Sequence, residues 1–170
     1  AREYDLFIIT DEIYSHIVFP GYPQIHLSQW IEDVPGIAMR GISKEFPWPG
    51  ARCGWIEVLN RKKDENFDEY VNSLLAAKRL EVCSTTFPQM VIPKVMGDPR
   101  YTNHLKERAL KFSNRADELM EAFKGCKYVV LNRPGGAFYA TIMFKEGVLN
   151  SHQTLPIENE KVKSYIEQIT

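Results

Sequence analysis

Residues 4–10 form a nearly continuous apolar run that ends in Thr10-Asp11-Glu12, the pattern of a parallel strand buried on both faces. Residues 37–42 and 52–59 predict two more strands, and Pro47, Pro49 and Gly50 force a turn between them. From 64 to 80 the apolar positions Phe67, Val71, Leu74 and Leu75 recur at helical spacing, and Pro88 is expected to break the segment after that helix. Asp98-Pro99 has the form of a helix N-cap with proline at the first helical position. The apolar stripe Leu105, Ala109, Phe112, Ala116, Leu119, Met120, Phe123 then runs to a stop at Gly125. Residues 128–131 and 137–144 are strand-like around Asn132-Arg133-Pro134-Gly135-Gly136, which predicts an antiparallel pair. This change from buried strands to a hairpin places a domain boundary in the long helix, dividing the chain into 1–100 and 101–170. A last amphipathic stretch at 162–169 predicts another helix.

Composition removes several function classes. The 170 residues, 44% hydrophobic and 12% aromatic, suffice for a core of ordinary size in one or two domains. Net charge is -1, and Lys and Arg are interleaved with Asp and Glu, which argues against a nucleic-acid partner. Cys53, Cys83 and Cys126 are an odd number at wide spacing, so neither disulfides nor structural zinc is expected and a cytoplasmic location fits. Apolar runs near either end are short, the longest being residues 6–9, so neither a signal peptide nor a membrane span is expected. His16, His26, His104 and His152 are scattered without ligand spacing and are expected as surface or packing groups, with no metal bound. Trp48 and Trp55 suit either a site wall or the packing of the turn and strand.

Candidate chemistry concentrates in the first third. Asp11 and Tyr14, three residues apart just past a buried strand, lie where open α/β sheets place ligand-binding groups. Taken alone, they read as an N-cap aspartate and a packing tyrosine rather than as ligand groups, and Lys44 alone is a surface lysine. The neighbourhood of Lys44 adds information, since it follows a strand and Ser43 and precedes a tight turn leading to Arg52 and Gly54-Trp55.

Gly41-Ile42-Ser43-Lys44, with Pro49-Gly50-x-Arg52-x-Gly54-Trp55 after it, resembles the cofactor-lysine signature of the class I/II aminotransferases. Asp11-Glu12-x-Tyr14, thirty-three residues before the lysine, is similar to that family's Asp-x-x-Tyr. Phe87-Pro88-Gln89 and Arg133-Pro134-x-Gly136-Ala137-Phe138-Tyr139 resemble two of its later segments, the second its small-domain hairpin. The likeness covers the whole chain in order and is greatest to the tyrosine- and alanine-aminotransferase-like branches. Departures are Pro47, Trp48 and Cys53, where the family has small or aliphatic residues, and Gly41, where some members have a phosphate-binding serine.

The resemblance implies an α/β, fold-type I pyridoxal 5'-phosphate-dependent transferase fold, present in part: a remnant of the large-domain mixed sheet in 1–100, then the interdomain helix and the start of a small α+β domain in 101–170. It implies an aminotransferase moving an amino group between an amino acid and a 2-oxo acid, working as a homodimer with the segment 83–89 near a partner's site. Lys44 is then the Schiff-base lysine and proton carrier, Asp11 the partner of the cofactor's ring nitrogen, Tyr14 the donor to its ring oxygen, and Arg52 with Ser43 the phosphate contacts. The family's upstream phosphate loop, its ring-stacking aromatic and its substrate-carboxylate arginine lie outside this sequence, so the 170-residue piece alone is expected to be inactive and to hold the cofactor poorly. Two other readings share these residues: a β-eliminating cysteine-sulfur lyase, and the non-catalytic effector-binding domain of an aminotransferase-like transcription regulator.

Overall fold

Parallel strands cannot be joined by a tight turn, because the chain must first return to the end from which it started. In the computed structural model of this chain, which describes residues 1–148, β1 (Ile8–Asp11) lies parallel to β2 (Gly36–Gly41), with Asp11 opposite Met39. Residues 12–35 make the return with no helical piece beyond the 3-10 turn Leu27–Gln29. This long connection is held down by the buried side chains of Ile17 and Phe19. A single turn of helix, α1 (Ile42–Glu45), follows β2 directly. Next comes β3 (Gly54–Leu59), antiparallel to β2 with Gly41 opposite Gly54, so the sheet is mixed with the order β1-β2-β3.

As the central strand, β2 is the best covered: Ile37 and Ala38 are both shut away from solvent. Ile37 meets Phe67 and Val71 of α2 (Glu65–Arg79), with Val58 and Leu74 at the margin. The start of α2 is set by Asp64, which accepts the Phe67 amide at 2.6 Å, a cap worth about 1 kcal/mol.

The first strand is shorter and wetter than its apolar run predicts. Arg2–Tyr4 is a 3-10 turn closed by Asp5 at φ 50°, and pairing begins only at Ile8. Leu6 is 58% exposed and Ile9 48%. Among the described residues β1 has a strand neighbour on one side only, so it lacks the cover that a doubly buried strand requires. β3 likewise starts two residues later than expected, because Arg52 stands in the left-handed region at φ 47°.

Pro88 does not break the structure. It is the third residue of α3 (Thr86–Met96), where a backbone N–H has no intrahelical acceptor and its loss costs nothing. Ile92 of α3 joins Ile42 and Ala51 in a second core cluster, against which Phe46, Trp48, Cys53 and Trp55 pack. Both tryptophans are therefore packing residues of the turn and strand.

The long helix is α4 (Arg100–Ala122), whose first amide is received by Asp98 at 2.8 Å. It buries Tyr101, Ala109, Ser113 and Ala116. No helix among the described residues is long and apolar enough to cross a membrane. β4 (Val129–Leu131) and β5 (Ile142–Phe144) form the expected antiparallel pair, but β5 is much shorter than 137–144. Ala137 sits at φ 56°, and the backbone before it leaves the hairpin to bridge Val18 through Gly136. Ile17 O accepts the Ala137 amide at 2.7 Å, and a Cβ on Gly136 would lie 2.7 Å from that same oxygen, so this approach requires glycine. Arg133 fastens the hairpin to α4 through Asp117 at 2.6 Å and Ser113 at 2.9 Å. The helix expected at 162–169 lies outside the described residues.

Candidate functional site

Strand direction gathers the candidate residues. Because β1 and β2 run the same way, Asp11 and Gly41 finish at one end of the sheet; antiparallel β3 begins there, with Arg52 just before it. Ser43 and Lys44 ride on α1 immediately past β2. All five residues singled out in the sequence thus come to the carboxyl end of the two parallel strands, where open α/β sheets leave room for ligands.

Lys44 is half-buried, its Nζ 5.5 Å from the centroid of the Phe138 ring, and its carbonyl oxygen accepts from Arg108 Nε at 3.1 Å. The Tyr14 ring meets the same Phe138 edge-on at 5.2 Å, and its hydroxyl lies 2.6 Å from that of Tyr139. That hydrogen bond, with partial burial and the Asp11 carboxylate nearby, pushes Tyr14 up to about 12, so at neutral pH it is a neutral phenol able to donate. The exposed Asp11 carboxylate accepts the Ile13 amide at 3.1 Å, an Asx-type turn. Arg52 is exposed and donates from Nη1 to Pro49 O at 3.0 Å. The structure therefore brings Lys44 and Tyr14 together around Phe138 and sets Asp11 within electrostatic reach of Tyr14. It links Arg52 to them through the backbone, since Ala51 packs on Ile42. Half-buried Ser43 precedes Lys44 in the same turn.

Among the described residues Asp11, Lys44 and Arg52 have no ion-pair partner; of the other arginines, Arg2, Arg40, Arg61, Arg100 and Arg133 have one and Arg79, Arg108 and Arg115 do not. The donor set they form with Tyr14 is one carboxylate, one amine, one guanidinium and one neutral phenol. Unpaired charges of both signs at one sheet end suit a small ligand that itself carries both signs.

Sequence reasoning missed the residues behind this end. Glu12 is 8% exposed and accepts the Leu27 amide at 2.6 Å and His26 Nδ1 at 2.9 Å, while Arg40 pairs with it at 3.1 Å. Arg40 also reaches Glu57 at 2.8 Å. Glu45, 4% exposed, pairs with His16 Nδ1 and accepts from the Tyr101 hydroxyl at 3.1 Å. The two histidine rings lie 5.5 Å apart. Burial pushes the Glu12 carboxyl upward, but the Leu27 amide, His26 and Arg40 outweigh it and hold it below the usual range. Burial, then the charge of Glu45, drives Tyr101 well above an ordinary phenol. His16 and His26 are thus packing histidines with a polar partner each, and no three His, Cys, Asp or Glu side chains among the described residues converge to hold a metal. The one available signal was Arg40, a charge in an otherwise apolar strand, which needs a buried partner.

Residues 1–164 match the sequence pattern of the family described as aminotransferase class I and II. Over 167 residues the chain is 50% identical to an uncharacterised aminotransferase of Methanocaldococcus jannaschii, an alignment covering 98% of this chain and 39% of that protein. It is 29% identical over 142 residues to the glutamate-pyruvate aminotransferase of Haemophilus influenzae, covering 82% of this chain and 34% of the relative. An alanine aminotransferase from Pyrococcus furiosus superposes with a TM-score of 0.72 at 26% identity, over 95% of this chain and 38% of that structure. The chain spans well under half the length of these relatives. By its sequence pattern and by its partial fold-type I architecture, this chain belongs to the class I and II aminotransferase family.

Proposed function

We propose that this chain is the cofactor-lysine portion of a pyridoxal 5'-phosphate-dependent aminotransferase that moves an amino group between an amino acid and a 2-oxo acid. The observation that carries the reading is the set Asp11, Lys44 and Arg52, without ion-pair partners among the described residues, at one end of the mixed sheet beside a neutral Tyr14. These groups fit the cofactor: an amine for its aldehyde, a carboxylate for its ring nitrogen, a phenol for its ring oxygen, and a guanidinium with a serine hydroxyl for its phosphate. When bound, pyridoxal phosphate supplies an electron sink for the charge left by removal of a Cα proton.

The chain's own residues do the rest. Lys44 would hold the cofactor through its amine and, as a free amine, would take the Cα proton. Asp11 holds a proton on the ring nitrogen, a role that its negative charge favours. Tyr14 donates to the ring oxygen. Arg52 and Ser43 hold the phosphate, Arg52 with the planar fork that lysine lacks.

We read residues 1–100 as part of the large domain and 101–170 as the interdomain helix and small domain, a division supported by two sheets that share no strand. The exposed Phe87, with Val82 and Met90 flanking the segment 83–89, supports a homodimer with that segment near the partner's site. Three free cysteines agree with a reducing cytoplasm. The named relatives are aminotransferases, and no observation favours the lyase or the regulator. The test is borohydride reduction of the full-length protein loaded with pyridoxal phosphate, followed by peptide mapping. Pyridoxyl on the peptide containing Lys44 is the expected result, and label on another lysine overturns the assignment.

A further inference from the structure

Asp11 and Lys44 share a feature that the roles proposed for them do not require. Each is followed by a buried glutamate, Glu12 and Glu45, 8% and 4% exposed. Helix α1 is a single turn of four residues, too short to hold its own geometry without outside contacts. Those contacts come from two directions. His16, two residues past Tyr14 in the connection after β1, grips Glu45 from one side. From the other, the Tyr101 hydroxyl donates to it at 3.1 Å, and Arg108, farther along α4, reaches the carbonyl oxygen of Lys44 itself at 3.1 Å.

We propose that Glu45, held between His16 and Tyr101, is the positioning residue that fixes the Lys44 amine relative to Tyr14 and Asp11. The inference rests on the reading of Lys44 as the cofactor lysine. Through His16 the grip is tied to the turn that carries Asp11 and Tyr14; through Tyr101 it is tied to α4. The His16 ring lies 5.5 Å from that of His26, which pairs with Glu12 next to Asp11. The spacing between the two ends of the cofactor site is therefore set by side chains behind the site, before any ligand arrives. A displacement of about 1 Å at a reacting group costs on the order of a hundredfold in rate, so an amine on so short a turn needs such a brace. The titratable groups facing Glu45 are His16 and Tyr101, with His26 beyond the first, His104 stacked on the second at 6.4 Å, and Arg108 above the turn.

The experiment uses the full-length protein loaded with pyridoxal phosphate and titrates its cofactor absorbance against pH, with kcat and KM measured in parallel. Glu45→Ala should move the absorbance midpoint by about one pH unit and lower kcat by about tenfold to a hundredfold, with KM within about twofold. His16→Gln and Tyr101→Phe should move both readouts the same way by less, and Glu45→Gln, which keeps the acceptor for Tyr101, should recover part of the loss. A Glu45→Ala protein that melts at lower temperature yet keeps the wild-type midpoint and kcat overturns the proposal, since Glu45 is then only a structural brace. Should that variant not fold, Tyr101→Phe decides, because it removes a single oxygen; an unmoved midpoint and kcat there overturn the proposal equally. Borohydride labelling separates the two levels of failure. Wild-type label away from Lys44 refutes the cofactor reading, whereas label on Lys44 together with unmoved variants refutes only the positioning role.

Discussion

The front and back of the same strand ends treat charge in opposite ways. In front, Asp11, Lys44 and Arg52 stand without ion-pair partners among the described residues, whereas behind them Glu12, Glu45 and Arg40 are each bound by at least two groups. The residues concerned are chain neighbours, Asp11 beside Glu12 and Lys44 beside Glu45. Successive side chains point to opposite faces at the end of β1 and are rotated by roughly 100° on the helical turn α1, so a one-residue step separates a charge left for a ligand from a charge bound behind the site. Burying a carboxylate is tolerable only where hydrogen bonds and opposite charge replace its water. That condition is met behind the sheet and left open in front of it.

Substitutions on the two sides should therefore fail in different ways. The largest effect is expected in front: Lys44→Ala in the full-length protein should lower turnover by about four orders of magnitude while leaving thermal denaturation nearly unchanged. A modest loss of turnover would break the contrast. Next, Asp11→Ala should lower kcat by about a hundredfold to a thousandfold with small effect on cofactor retention, whereas Arg52→Ala should weaken cofactor binding by about tenfold to a hundredfold. Equal effects on kcat and on cofactor retention in both variants would contradict these roles.

Away from the positioning role proposed for Glu45, the readout behind the sheet is stability, and Glu12 is the residue to change. Glu12→Ala leaves Arg40 and His26 without their shared acceptor and should cost about 3 kcal/mol at neutral pH, measured by denaturant unfolding. Glu12 has a folded-state value held below its ordinary one. Its contribution is therefore fully present above the ordinary carboxylate range, about pH 4, and is lost as pH falls below it. The gap between wild type and variant should accordingly close on acidification; a gap that widens would reverse the sign of this assignment. The smallest effect is a control away from both sides. Asp64→Ala removes the cap on the Phe67 amide and should cost about 1 kcal/mol, with kcat unchanged in the same assay.

The front of this contrast was legible in the sequence because its residues act near where the chain places them. Asp11 ends a strand, Lys44 follows one, and Arg52 sits in a turn that its prolines announce. The back was not legible, because each contact joins distant positions: His16 to Glu45 and Tyr101 to Glu45 are separated by 29 and 56 residues. Apolar periodicity locates elements and carries no information about which buried glutamate meets which histidine. Errors in the elements have the same origin. The run at 4–10 looks doubly buried although its neighbours decide that, Pro88 looks like a breaker although at a helix start it is neutral, and 137–144 looks like one strand although Gly136 is drawn away to Val18.

That bridge has a consequence for the order in which the molecule assembles during synthesis. Tyr14 and Tyr139 are 125 residues apart in the chain, and the backbone from Ile17 to Phe19 completes its hydrogen bonds only with Gly135 and Ala137. At a translation rate of about 5–20 residues per second, the connection after β1 therefore waits roughly 6–25 s on the ribosome before its partner emerges. Throughout that interval Ile17 and Phe19 lack the hairpin backbone that later pairs with them, so this part of the fold closes only after most of the chain has been made.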